Sequence, residues 1–142
     1  MLHCDLETGA LLFYERFKGV DGPKDRYFVV LANTSPIVFC FTTTTQPHCE
    51  TRPKLATEFC TIEKGECCLP KRCFVDFRFL YEFGDIELGS RLRSRSVKEI
   101  GRLPDTILHR IRNGVHGCRS LTPAQKGPVL VALGAKLAES GD

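Results

Sequence analysis

The eight cysteines and four histidines are the residues of this 142-residue chain best suited to ligate a metal or to act as nucleophile and base. Zinc ligands recur as C-x-x-C pairs, because one tight turn must present two donors to a single ion. His48-Cys49, Cys60, Cys67-Cys68 and Cys73 contain no such pair, so the spacing argues against a zinc ribbon and leaves an irregular four-ligand site open. Thiol catalysis needs a cysteine activated by a nearby base, and the sequence alone pairs none of the histidines with a cysteine. Cys40, inside Ile37-Val38-Phe39-Cys40-Phe41, reads as a small buried hydrophobe. Neither G-x-x-x-x-G-K nor G-x-G-x-x-G occurs, which argues against nucleotide hydrolysis on a phosphate-cradling loop. The formal net charge of +3 is mild, but Arg91, Arg93, Arg95, Lys98, Arg102, Arg110 and Arg112 gather basic charge in one 22-residue window. That window is either a track for phosphates or a solvated charged loop.

The elements that must position such residues are mostly strands at first. Ala10 to Phe17 follows Gly9 and is rich in Leu, Phe and Tyr, which predicts a strand. Lys18 to Asp25 carries two glycines and a proline among charges, which predicts a flexible connection. Arg26 to Ala32 resumes strand character, Asn33-Thr34-Ser35-Pro36 turns, and Ile37 to Thr43 is a third strand whose apolar run predicts burial on both faces. Thr44 to Lys54, with Pro47 and Pro53, reads as a surface loop. Cys60 to Glu63 and Cys73 to Phe79 complete five candidate strands. Short strands joined by Gly and Pro turns favour a small barrel or curled antiparallel sheet over a parallel α/β layout.

The pattern then becomes helical. Pro104 suits a first helical turn, and Ile107, Leu108, Ile111 and Val115 form one apolar stripe that Gly114 and Gly117 are expected to end. Thr122-Pro123-Ala124-Gln125 is a capping box that predicts a second helix, which Pro128 should break or kink. Residues 139 to 142 are expected to fray. The fold class is therefore mainly β with C-terminal helices. The expected organisation is a single domain over residues 1–142, strand-rich from 9 to 83 and helical from 103 to 138. A chain of this length buries about two thirds of its unfolded surface, enough for one core without disulfides. The longest apolar stretches, Tyr27 to Ala32 and Pro128 to Leu133, are far too short to span a bilayer. Without a secretory pattern at residues 1–7, the expected location is cytoplasmic and the thiols are expected to be reduced.

Gly9-Ala10-Leu11-Leu12-Phe13, the glycine-bearing charged loop, Lys24-Asp25-Arg26-Tyr27-Phe28-Val29-Val30-Leu31, and Ile37-Val38-Phe39-Cys40-Phe41-Thr42 stand in an order that resembles the MazF/PemK-like toxin family. The resemblance is carried by residues 9–44 and continues weakly through Cys73 to Phe79 and the helix at Pro104. It implies a small SH3-like barrel, usually a homodimer, that cuts single-stranded RNA without a metal or other cofactor and is inhibited by an antitoxin protein. On that resemblance Arg26 matches the catalytic arginine and Thr42 the catalytic threonine, with Thr43 or Thr44 as alternative hydroxyls. Lys24, Thr43, Thr44, Arg91, Arg93 and Arg95 are the candidate substrate-binding residues. Attack of a ribose 2′-OH on the adjacent phosphate needs a proton shuttle and donors for the developing phosphorane, which a guanidinium fork and a hydroxyl can supply. Tyr27 stands where the family normally has proline. That departure favours a second expectation, a non-catalytic nucleic-acid- or protein-binding module on the same barrel. A zinc-stabilised domain is the third.

Overall fold

The computed structural model describes residues 4–19, 22–45 and 53–140. The expectations placed on Val20 and Asp21, on most of the loop between Thr44 and Lys54 including His48 and Cys49, and on Gly141 and Asp142 lie outside these residues. Strands β1 (Ala10–Gly19), β2 (Gly22–Asn33) and β3 (Ile37–Thr44) come first, followed by a short 3-10 helix (Pro53–Glu58) and strands β4 (Phe59–Ile62) and β5 (Cys73–Gly84). Helix α1 (Asp85–Ser94), strand β6 (Val97–Arg102), and helices α2 (Asp105–Gly117) and α3 (Pro123–Ser140) complete the chain. The six strands form one antiparallel sheet in the order β4-β5-β3-β2-β1-β6, curled into a half-barrel.

The continuous apolar runs in β2 and β3 are explained by burial on both sides of this sheet. Leu11, Val29, Leu31, Phe41 and Val75 point to one core, where they meet Ile107, Leu108, Ile111 and Val115 of α2 and Val129 and Leu133 of α3. Leu12, Tyr14, Phe28, Val30, Val38 and Cys40 point to the other, covered by Cys4, Leu6, Leu88 of α1 and Val97. Each fully buried large side chain contributes about 1.5–3 kcal/mol over exposure, so both faces are strongly specified. No helix among the described residues is long and apolar enough to cross a membrane.

Strand β5 serves both cores by changing phase. Cys40 pairs with Tyr81 while Thr42 pairs with Asp76, so Phe77–Leu80 bulge out opposite Phe41 alone. Cys73, Val75, Phe77 and Leu80 thus face the first core, whereas Tyr81 and Phe83 join the second. A purely alternating reading of Cys73 to Phe79 stops at this bulge, and the strand runs on to Gly84.

Four expectations are corrected. The flexible connection from Lys18 to Asp25 is mostly strand, because β1 runs to Gly19 and β2 starts at Gly22. The irregularity lies earlier, at a bulge between Tyr14 and Phe17, where Arg16 takes φ 51 and its amide donates to Asp25 Oδ1 at 2.9 Å. Part of the basic window is ordered as α1 and β6, an added helix and a sixth strand between the strand-rich and helical parts. Gly114 does not end α2. It lies inside the helix, where an added Cβ would come within 2.4 Å of the Phe77 ring, so its missing side chain lets α2 settle on the sheet. Pro128 does not break α3. The carbonyl that loses its donor there belongs to exposed Ala124 and can bond water instead. The capping box forms as expected: the Gln125 amide donates to Thr122 Oγ1 at 3.2 Å and the Thr122 amide to Gln125 Oε1 at 2.9 Å.

Candidate functional site

Past the apolar part of the sheet, the start of β2 and the end of β3 turn polar, with Lys24-Asp25-Arg26 on one strand facing Thr43-Thr44-Thr45 on the other. Phe28 pairs with Thr42 at this end of the β2–β3 ladder, and Lys24 to Tyr27 and Thr43 to Thr45 lie just beyond that pair. These residues line a cavity of about 220 Å³, walled by Lys24, Asp25, Arg26, Thr43, Thr44 and Thr45, with Tyr27 between them. Arg26 is half-buried and Lys24 is exposed, so the cavity joins a planar fork-shaped cation to a compact ammonium.

Of the pair expected to act together, Arg26 lines the cavity and Thr42 does not. By strand alternation the two share a face of the sheet, but Thr42 lies inside the paired part of the sheet, opposite Phe28 and Asp76, and is 5% exposed. The threonines that line the cavity are Thr43, Thr44 and Thr45. Which threonine stands level with Arg26 depends on the register between β2 and β3, and a run of four threonines hides it.

Asp25 was not singled out by sequence reasoning, and it supplies the cavity's one carboxylate among the described residues. Its Oδ1 is anchored by the Arg16 amide, which leaves its other oxygen able to accept. An acid directly before Arg26 was the available signal, obscured because the segment reads as loop. Together the groups offer a delocalised cation, an ammonium, hydroxyl donors and a proton acceptor around one space. That set can bind a phosphodiester-sized anion and move a proton beside it.

Arg91, Arg93 and Arg95 do not line the cavity. The Arg91 guanidinium lies 5.3 Å from the Tyr14 ring centroid and 3.6 Å from Glu87. Tyr14 is the cross-strand neighbour of Arg26 in β1, so the flank of α1 begins beside the site. Arg93 and Arg95 are exposed at the helix end, where Arg95 adopts the left-handed cap conformation. Much of the remaining basic window is matched by acids: Lys98 with Glu15 at 3.4 Å, Arg102 with Glu7 at 3.1 Å, and Arg110 with Glu66. These pairs turn a formally basic stretch into a mixed surface.

Burial pushes the Cys60 thiol up to about 11 and Cys73 up to about 12, and drives Cys40 higher still. Such thiols stay protonated at neutral pH and are poor nucleophiles. Among the described residues no group of three or more His, Cys, Asp and Glu side chains is arranged to hold a metal ion.

A different polar cluster lies under the turn between α2 and α3. The Glu58 carboxylate accepts from the Arg119 amide at 2.9 Å, the Ser120 amide at 2.8 Å, Thr57 Oγ1 at 2.7 Å and Ser120 Oγ. Burial alone would raise its pKa, but the bonds from Ser120, Thr57 and the Arg119 and Ser120 amides outweigh it and hold the carboxyl at about 2. Compared with known proteins, the chain matches no family model, and no curated protein matches it at a significant level.

Proposed function

We propose that this chain is a metal-independent endoribonuclease of the MazF/PemK-like toxin type, cutting single-stranded RNA through attack of a ribose 2′-OH on the neighbouring phosphate. The observation that carries the proposal is the cavity lined by Lys24, Asp25, Arg26 and Thr43 to Thr45. It supplies the requirements of that reaction without calling on a metal. Asp25 takes the proton of the 2′-OH as the O2′–P bond forms. Arg26 neutralises the phosphorane oxygens through its planar fork, with Lys24 adding charge and Thr44 a hydrogen bond. The P–O5′ bond then breaks, the leaving oxygen takes up a proton, and the products are a 2′,3′-cyclic phosphate and a 5′-hydroxyl. The 2′-OH requirement restricts the substrate to RNA. An antitoxin protein as inhibitor and a homodimer as working form belong to the same proposal, as does a cytoplasmic location.

The test is cleavage of a single-stranded RNA by the purified protein in excess EDTA. Wild type cuts, and Arg26→Ala does not, while both melt at the same temperature. Cleavage that survives the substitution removes the proposal.

The burial of Thr42 and the tyrosine at position 27 favour a second reading, a non-catalytic nucleic-acid-binding module. It predicts a gel shift of the same RNA by wild type with no product at any time.

A further inference from the structure

At the far end of β2 from Arg26, roughly 20 Å along the strand, a cavity of about 280 Å³ opens between the N-terminal segment and the C-terminal half of α3. Asn33, the last residue of β2, forms part of its wall, and its Nδ2 donates to the Cys4 carbonyl at 3.1 Å and to the Leu6 carbonyl at 3.2 Å. Thr8 Oγ1 donates to the Leu31 carbonyl at 3.0 Å, so the N-terminal segment is tied down along the cavity. Helix α3 contributes Ala132 and Ala135, whose methyl side chains leave space that longer ones would fill.

Charges of both signs line the same space. Glu7 is held by Arg102 at 3.1 Å and lies 3.8 Å from Lys136, near the outer limit of an ion pair. Glu139 is exposed and makes no ion pair among the described residues. Side chains three apart on a helix have their Cβ atoms about 5–6 Å from each other, so α3 sets the Lys136 ammonium and the Glu139 carboxylate side by side without joining them.

We propose that this cavity binds a free aliphatic α-amino acid, its carboxylate toward Lys136, its ammonium toward Glu139 and its side chain on Leu6, Ala132 and Ala135. A simple anion would meet the Glu7 and Glu139 carboxylates, and a simple cation would meet Lys136, with Arg102 already on Glu7. A molecule that carries both charges on one carbon complements both. The Thr8 hydroxyl oxygen and Asn33 Oδ1, which already accepts from the Ser35 amide at 3.2 Å, each keep a lone pair for the remaining ammonium hydrogens. Among the described residues no aromatic side chain lines the cavity, and its volume falls just below the roughly 300–1,000 Å³ of sites for drug-sized ligands, so a branched aliphatic side chain suits it better than a ring. These residues are separate from the Arg26 cavity, and binding here is independent of RNA cleavage.

The experiment is titration of the whole chain with L-leucine and with L-valine, followed by amide NMR. Saturable shifts at Thr8, Asn33 and Ala135 are expected, with a dissociation constant on the order of 1 mM because exposed ion pairs contribute little. Isocaproate, which is leucine without its ammonium, and isoamylamine, which is leucine without its carboxylate, should each bind about fivefold more weakly or worse. Ala135→Leu fills the space from an exposed helical position that leucine suits, so the fold is kept and the shifts are lost. Glu139→Gln removes the partner of the ammonium and weakens binding about fivefold. Should Ala135→Leu give the spectrum of an unfolded chain, Glu139→Gln and the two half-molecules decide. The proposal is overturned if neither amino acid gives a saturable shift, if either folded variant binds as wild type does, or if isocaproate or isoamylamine binds as tightly as leucine.

Discussion

Glu58 and Arg26 are both charged side chains in partly apolar surroundings, yet the fold treats them in opposite ways. Glu58 is 5% exposed, and its oxygens are taken up by two backbone amides and two hydroxyls of the same chain. Nothing is left for a ligand, and the cluster pins the turn between α2 and α3 to the strand-rich part. Arg26 lines a cavity that Lys24, Asp25 and Thr43 to Thr45 line with it. A carboxylate whose bonding capacity the chain fills serves stability; a charged group set at the wall of a cavity is placed to meet something else.

Substitutions should separate the two regions cleanly. Arg26→Ala is expected to lower RNA cleavage by about 10²–10³-fold or more with little change in melting temperature. Its effect therefore lies in rate and not in fold. Glu58→Gln is expected to do the reverse, leaving activity per folded molecule intact and lowering stability by about 3 kcal/mol, the equivalent of a carboxyl held near 2 instead of 4.5. The folded pKa is depressed, so this stability is fully present above about pH 4.5 and is lost as pH falls toward 2. Urea denaturation across that range should slope steeply for wild type and flatten for the variant. A variant as pH-sensitive as wild type would show that Glu58 is not the anchor.

Gly114→Ala sharpens the contrast from the side of packing. A Cβ at 2.4 Å from the Phe77 ring forces α2 off the sheet, for a loss of about 1–3 kcal/mol in chemical denaturation where an ordinary helical glycine would gain from alanine. The smallest effect expected is at the cavity's hydroxyls. Thr44→Val should slow cleavage about tenfold, the worth of one hydrogen bond to a charged transition state, and Thr42→Val should slow it less. The reverse order would return the working hydroxyl to Thr42.

The architecture was legible where local chemistry and burial agree. The first three strands, the stripe Ile107, Leu108, Ile111 and Val115, and the Thr122 capping box all fold as their patterns require. Reading failed where tertiary contact overrides a local rule. Gly114 looked like a stop because only the position of Phe77 explains it, and β5 looked short because a bulge reverses its phase. Helix α1 and strand β6 were hidden in a basic stretch whose charges are balanced by Glu7, Glu15 and Glu87, all brought close by the fold or the helix turn. For the cavity, residue types were visible but depth was not. Only the register between β2 and β3 separates buried Thr42 from Thr44, and only the bulge at Arg16 shows how Asp25 is held.

The chemistry assigned to the Arg26 cavity is tested most directly by one substrate pair: a single-stranded RNA cut by the protein in EDTA, and the same RNA with a single 2′-deoxy substitution 5′ of the cut. The account predicts a 2′,3′-cyclic phosphate and a 5′-hydroxyl from the first and no cleavage at that position in the second. Equal cleavage of both, or a fully intact RNA in the first, would contradict it.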